Sequence, residues 1–170
     1  MDRIRTNCAA TRVTRANGQV QVSDTRGETL NYDQVIFASH ADETLAILAD
    51  ATDAERSILG AFTYQNNHAV LHKDVRVMPQ RKRCWASWVY MASNAGSEAN
   101  ISVTYWMNLL QSIDTNYPLF VTLNPTIDIK PEHIFDEHDF THPVFTSEAI
   151  AAQARIPELQ GQQNSWFAGA

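Results

Sequence analysis

Two cysteines, six glycines and a shortage of positive charge set the first limits on this 170-residue chain. Cys8 and Cys84 have no CxxC spacing, so they read as free thiols in a reducing, cytoplasmic compartment. No segment approaches the ~18 apolar residues that would span a bilayer. Met1 to Cys8 has no charged start leading into an apolar stretch, so no secretory leader is expected. Thirteen Lys and Arg against nineteen Asp and Glu leave a net charge of -6, which argues against nucleic acid or an anionic membrane as partner. The one basic run, Arg81-Lys82-Arg83, follows Pro79 and reads as a solvated turn. No HxH, HExxH or GxSxG occurs, so the stretch Glu132-His133, Asp136, His138-Asp139, His142 reads as a surface strand and turn rather than a metal site. With 44% hydrophobic and 19% charged residues, the chain is nevertheless rich enough to bury a core.

The order of patterns predicts an α+β fold. Asn17-Gly18 between two short β-like runs (12–16 and 19–22) predicts a tight hairpin, because both residues tolerate the positive φ of a type I′ turn. Asp24 to Gly27 is a second turn, and Glu28 to Tyr32 a further strand. Val35-Ile36-Phe37-Ala38 is continuously apolar, as in a parallel strand covered on both faces. Ser39 is placed to cap a helix bearing Leu45 and Leu48, and Thr52 to Glu55 is a capping box for another that Gly60 closes. Alternation over Phe62–Val77, Cys84–Tyr90 and Ile101–Met107, broken at Met78-Pro79 and Ser93-Asn94-Ala95-Gly96, predicts an antiparallel sheet. Leu119 to Leu123 adds a strand, the segment from Trp106 to Ile113 turns helical at its end, and Ser147 caps a short helix that stops before Pro157.

Several segments together carry a family resemblance. Arg12 to Arg15, Gly18 to Val22 and Tyr32-Asp33-Gln34-Val35-Ile36-Phe37-Ala38 resemble the middle of a flavin-containing amine oxidase. Asn67 to Asp74, Met78-Pro79, Trp85 to Trp88, His142 to Phe145 and Gln160-Gly161 through Trp166-Phe167-Ala168-Gly169 resemble a bacterial branch of FAD/NAD-binding amine oxidoreductases. The resemblance implies an interior piece of a flavoenzyme that moves a hydride from a small-molecule substrate to FAD. Residues 1–40 and 161–170 would belong to a partial FAD-binding lobe and 41–160 to a substrate lobe with an antiparallel sheet and covering helices. The GxGxxG turn that holds the FAD pyrophosphate is absent, so FAD is expected in a full-length parent but not tightly bound here. The alternative is a non-catalytic binding or assembly module, with a homodimer as one form.

The same resemblance places Ala10 where the family's backbone meets the adenine, though an ordinary strand residue would look the same. Ala38-Ser39-His40 sits at the carboxyl end of the buried strand, where open α/β sheets place ligands, with a plain helix cap as the compatible alternative, and the resemblance adds Gly169 as the end of the family's flavin-side turn. His68, His72 and Asp74 share strand parity and form a candidate catalytic face. Trp88 and Tyr90 are candidate substrate-binding residues on a strand expected beside it. The alternative for that face is the solvent side of a large sheet.

Overall fold

The computed structural model describes residues 4–92 and 101–169, so the turn expected at Ser93 to Gly96 lies outside them. The chain opens with β1 (Ala10–Ala16), β2 (Gln19–Asp24), β3 (Thr29–Tyr32) and β4 (Val35–Phe37), then α1 (Ala41–Ile47) and α2 (Asp53–Leu59). There follow β5 (Thr63–His72), β6 (Trp88–Ala92), β7 (Ile101–Trp106), α3 (Met107–Leu110) and β8 (Phe120–Leu123). β9 (Ile134–Val144), α4 (Ser147–Gln153) and β10 (Ser165–Phe167) complete it. The mixture of antiparallel sheets with few short helices is α+β. No helix among the described residues is long and apolar enough to cross a membrane.

Two compact units are present, one of residues 1–64 with 143–170 and the other of residues 65–142. These boundaries differ from the lobe boundaries read from the sequence. α2 and α4 pack together through Ile58, Leu59, Ala152 and Leu159, with Leu45 of α1 against them, and Val13, Val20 and Phe37 of the early strands pack on Ile47 and Leu48 at the end of α1.

In the first unit β1, β2 and β3 form an antiparallel meander. The hairpin forms at the expected place, with φ of 54° at Asn17 and 73° at Gly18. A β-branched residue at Gly18 would have open space around its Cβ but a strained backbone. Gly18→Val is therefore expected to lower stability by roughly 1–2 kcal/mol; an unchanged urea midpoint would remove the turn's demand for glycine.

β4 pairs in parallel with β10, in the register Ile36 to Trp166. The expected burial on both faces holds for only one of them. Phe37 is buried and stacks on Phe167, with ring centroids 5.3 Å apart, whereas Ile36 is 68% exposed and Trp166 40%. Gln160 closes the outer edge of β10 as a neighbouring strand would: its amide accepts from Phe167 N at 2.9 Å and donates to Phe167 O at 2.8 Å. Gly161 N adds a bond to Ser165 O.

Helix starts differ by a residue from expectation. α1 is capped by His40, not Ser39, because the reciprocal Glu43 carboxylate reaches the His40 N–H three residues back. α4 is capped by Thr146 rather than Ser147, through Ala149 N–H to Thr146 Oγ1. Thr52 and Glu55 form the expected capping box. Gly60 ends α2 with a right-handed φ of -70°; it is needed because a Cβ would lie 2.5 Å from Arg56 O.

The second unit is built on the sheet β6-β7-β8-β5-β9. β5 stops at His72, since Asp74 caps a 3-10 turn (Val75–Val77) through Arg76 N and no ladder continues. Cys84 lies in a second 3-10 turn (Lys82–Cys84), so β6 begins only at Trp88. Val77, Met78 and Phe120 pack with Trp85 and Trp106 on one face of this sheet.

Candidate functional site

Two places deserve chemical description, one in each unit. In the first, the carboxyl ends of β4 and β10 run against each other. Ala168 N donates to Phe37 O at 2.8 Å, and any Cβ at Gly169 would lie 1.8 Å from Ser39 O. Glycine is therefore required at 169 for the close backbone approach. Ala38, Ser39 and Gly169 thus meet where open α/β sheets place ligands. Ala10 does not join them; it opens β1 opposite Asp24, beside a register shift, and is exposed.

These strand ends border a cavity of about 510 Å³. Phe37, Leu59, Phe62 and Phe167 line it, Phe145 and Ile150 stand at its margin 74% and 58% exposed, and among the described residues no charged side chain contributes to its wall. Among its polar groups, Ser39 Oγ lies 2.9 Å from Thr44 Oγ1, the Tyr64 hydroxyl accepts from Ala41 N at 2.8 Å, and the exposed Gln153 adds an amide. Burial raises the Tyr64 hydroxyl's pKa, keeping it neutral. Phe62, Phe145 and Ile150 were not singled out from the sequence. The signal was present at Ile150, which breaks the stripe of small residues, Ala149 and Ala152, that α4 buries.

In the same unit the Arg15 side chain is buried, 2% exposed against Glu55 at 3%. Arg15 Nη2 donates to Glu55 Oε2 at 2.8 Å, Nε to Asp50 Oδ1 at 3.2 Å and Nη1 to Ser165 Oγ at 3.2 Å. Burial opposes the charge on both partners, but the paired hydrogen bonds prevail: Arg15 is held above its usual pKa and Glu55 below. The group ties β1, α2 and β10 together.

In the second unit the structure brings His72 and Asp74 together and separates the other three candidates. His72 has no exposed surface, and Asp74 is 1% exposed. The Asp74 N–H donates to His72 Nδ1 at 3.0 Å, which fixes that nitrogen as the acceptor. The ring proton therefore sits on Nε2 and points to Thr122 Oγ1 at 2.8 Å, and Thr122 in turn meets Thr104 Oγ1 at 2.9 Å. Burial lowers the His72 pKa to about 4, against the attraction of Asp74 and with the repulsion of His133. Asp74 is held well below the usual carboxylate range, first by the Arg76 guanidinium bonds and then by the N–H groups of Arg76 and Lys130. His133 Nδ1 is buried without a hydrogen bond, 3.5 Å from Asp74 Oδ2.

His68 shares the strand parity of His72 but lies at the surface, 2.9 Å from Asp139 Oδ1. β6 is not beside β5; β7 and β8 intervene. The register Trp88–Tyr105–Val121–Leu71 puts Trp88 and Tyr90 on the face opposite His72. Trp88 and Tyr90 pack edge to face at 5.3 Å and are 53% and 62% exposed. No group of three or more His, Cys, Asp or Glu arranged to hold a metal occurs among the described residues.

No protein-family model and no curated protein matches the chain. Solved structures do. A CLA-producing fatty acid isomerase from P. acnes aligns over 96% of this chain with a TM-score of 0.56 at 17% identity. A protein titled as a protoporphyrinogen oxidase, from Exiguobacterium sp. 255-15, aligns over 98% with a TM-score of 0.55 at 14% identity. The chain spans 42% of the length of each. It is thus similar in fold to part of these larger proteins.

Proposed function

We propose that the chain is part of a flavin-dependent oxidoreductase of the amine-oxidase type. The observation that carries this reading is the parallel β4/β10 pair, whose carboxyl ends meet at Ser39 and Gly169 beside an apolar cavity. Open α/β sheets bind ligands at such ends. The likeness in fold to the isomerase and the oxidase supports it over nearly the whole chain.

On this reading FAD would lie toward Ala38, Ser39 and Gly169, and supply the acceptor for a hydride taken from a small-molecule substrate. The protein's own part is orientation and exclusion of water. The face carrying Trp88 and Tyr90 suits a substrate wall better than the His72 side, because both ring nitrogens of His72 are already occupied. His68 and Asp74 likewise serve the local structure first, as a surface ion pair and a turn cap.

The chain contains no GxGxxG turn, so after incubation with FAD and desalting it is expected to be colourless. A protein carrying this chain together with a Gly-rich strand–turn–helix is expected to purify yellow with one FAD per chain. A colourless product from that longer protein would overturn the flavoenzyme reading. The second reading, a non-catalytic assembly module, draws on the uncovered Ile36 and Trp166 of the parallel pair, a surface that parallel sheets ordinarily cover.

A further inference from the structure

We infer that the cavity of the first unit is a binding site for an uncharged, largely hydrocarbon small molecule. The cavity shares Phe37, Ser39, Phe167 and Gly169 with the strand ends of the flavoenzyme reading, and the inference rests on that reading and deepens it by naming the ligand class of the adjoining space. Its volume of about 510 Å³ falls in the range that takes a drug-sized ligand.

The chemistry of the wall selects the ligand. Phe37, Leu59, Phe62 and Phe167 supply aromatic and aliphatic surface, while none of the lining side chains carries a charge in a chain of net charge -6. A charged group drawn inside would lose its hydration and find no counter-ion. The hydroxyls of Ser39 and Thr44 bond to each other and the Gln153 amide is exposed to water, so a hydrocarbon would leave neither unpaired. Phe145 and Ile150 stay exposed at the margin, where a bound hydrocarbon would cover them. A second copy of the chain or a polypeptide segment would bring charged groups and backbone amides against this wall. A compact apolar molecule brings neither.

Diphenylhexatriene, a neutral hydrocarbon that fluoresces in apolar surroundings, tests this with the whole chain. One probe per chain is expected to bind at micromolar concentration, displaced by dodecanol and not by putrescine. Ile150→Arg, at an exposed position where folding is preserved, is expected to weaken binding at least tenfold. Tyr117→Ser, an exposed aromatic in the second unit, should leave it unchanged. Absence of saturable binding, equal affinity in Ile150→Arg, or loss in Tyr117→Ser would overturn the proposal. So would elution as a dimer that Ile150→Arg converts to monomer with no change in probe affinity, since a second copy would then cover the margin. FAD content is not read in any arm, so failure here leaves the flavoenzyme reading standing.

Discussion

Replacing Arg15 by methionine is expected to destabilise the chain by roughly 3–5 kcal/mol, the range for breaking a buried ion pair by removing one partner. Glu55 would remain behind with its side chain 3% exposed, still accepting from the Thr52 N–H at 2.7 Å but without its counter-charge. Asp50, at 30% side-chain exposure, can rehydrate and contributes little to the loss. The signature is in the second substitution. Arg15→Met with Glu55→Gln should recover part of the stability, because a neutral amide needs no cation and its Oε1 can still accept from the Thr52 N–H. Urea unfolding followed by circular dichroism gives both values. A loss below 1 kcal/mol in Arg15→Met, or no recovery in the double variant, would show that the group is not the clamp its geometry implies.

Arg15 was invisible in the sequence for a physical reason. Its partners lie 35, 40 and 150 residues away, and nothing local in a strand distinguishes an arginine bound for the interior from a solvated one. Features governed by backbone chemistry over a few residues were legible: the hairpin at Asn17-Gly18, the turn at Asp24 to Gly27, the capping box of Thr52 and Glu55. The α+β class followed from the order of those patterns. Sheet order was not legible. The expectation that β6 returns beside β5 assumed a direct reversal at Met78-Pro79, but two 3-10 turns carry the chain away and β7 and β8 fill the interval. That displacement also moved Trp88 to the other face, since each strand crossed must keep its register. At the strand ends, Ser39 was legible as the end of a continuous apolar strand and Gly169 through the resemblance, whereas the cavity beside them needs residues from four separate segments and has no local signature.

Acidification is expected to weaken the second unit before its carboxylates titrate, and His72 is the cause. Its ordinary pKa of 6.5 falls to about 4 in the folded chain. A lowered histidine pKa means the unfolded chain binds the proton more readily. The stabilisation is therefore fully present above pH 6.5 and is lost as pH falls from 6.5 towards 4. At 1.36 kcal/mol per pH unit, that interval corresponds to about 3 kcal/mol. Asp74 acts in a separate window: its depressed pKa supports the fold above the usual carboxylate value of 3.8 and is lost only at lower pH. The remaining groups around the ring do not compensate. Arg76 stays charged, and His133 adds only repulsion against a charge on His72. The tautomer gives the structural reason. A proton on Nδ1 would face the Asp74 N–H that now donates to it, so charging the ring breaks the bond that anchors the residue capping the 3-10 turn. His72→Gln, which can still donate to Thr122, should flatten the stability profile between pH 6.5 and 4. Nitrogen chemical shifts of His72 should report the Nε2–H form at neutral pH. A ring that titrates near 6.5, or a profile as steep in His72→Gln as in the natural chain, would place the acid sensitivity elsewhere.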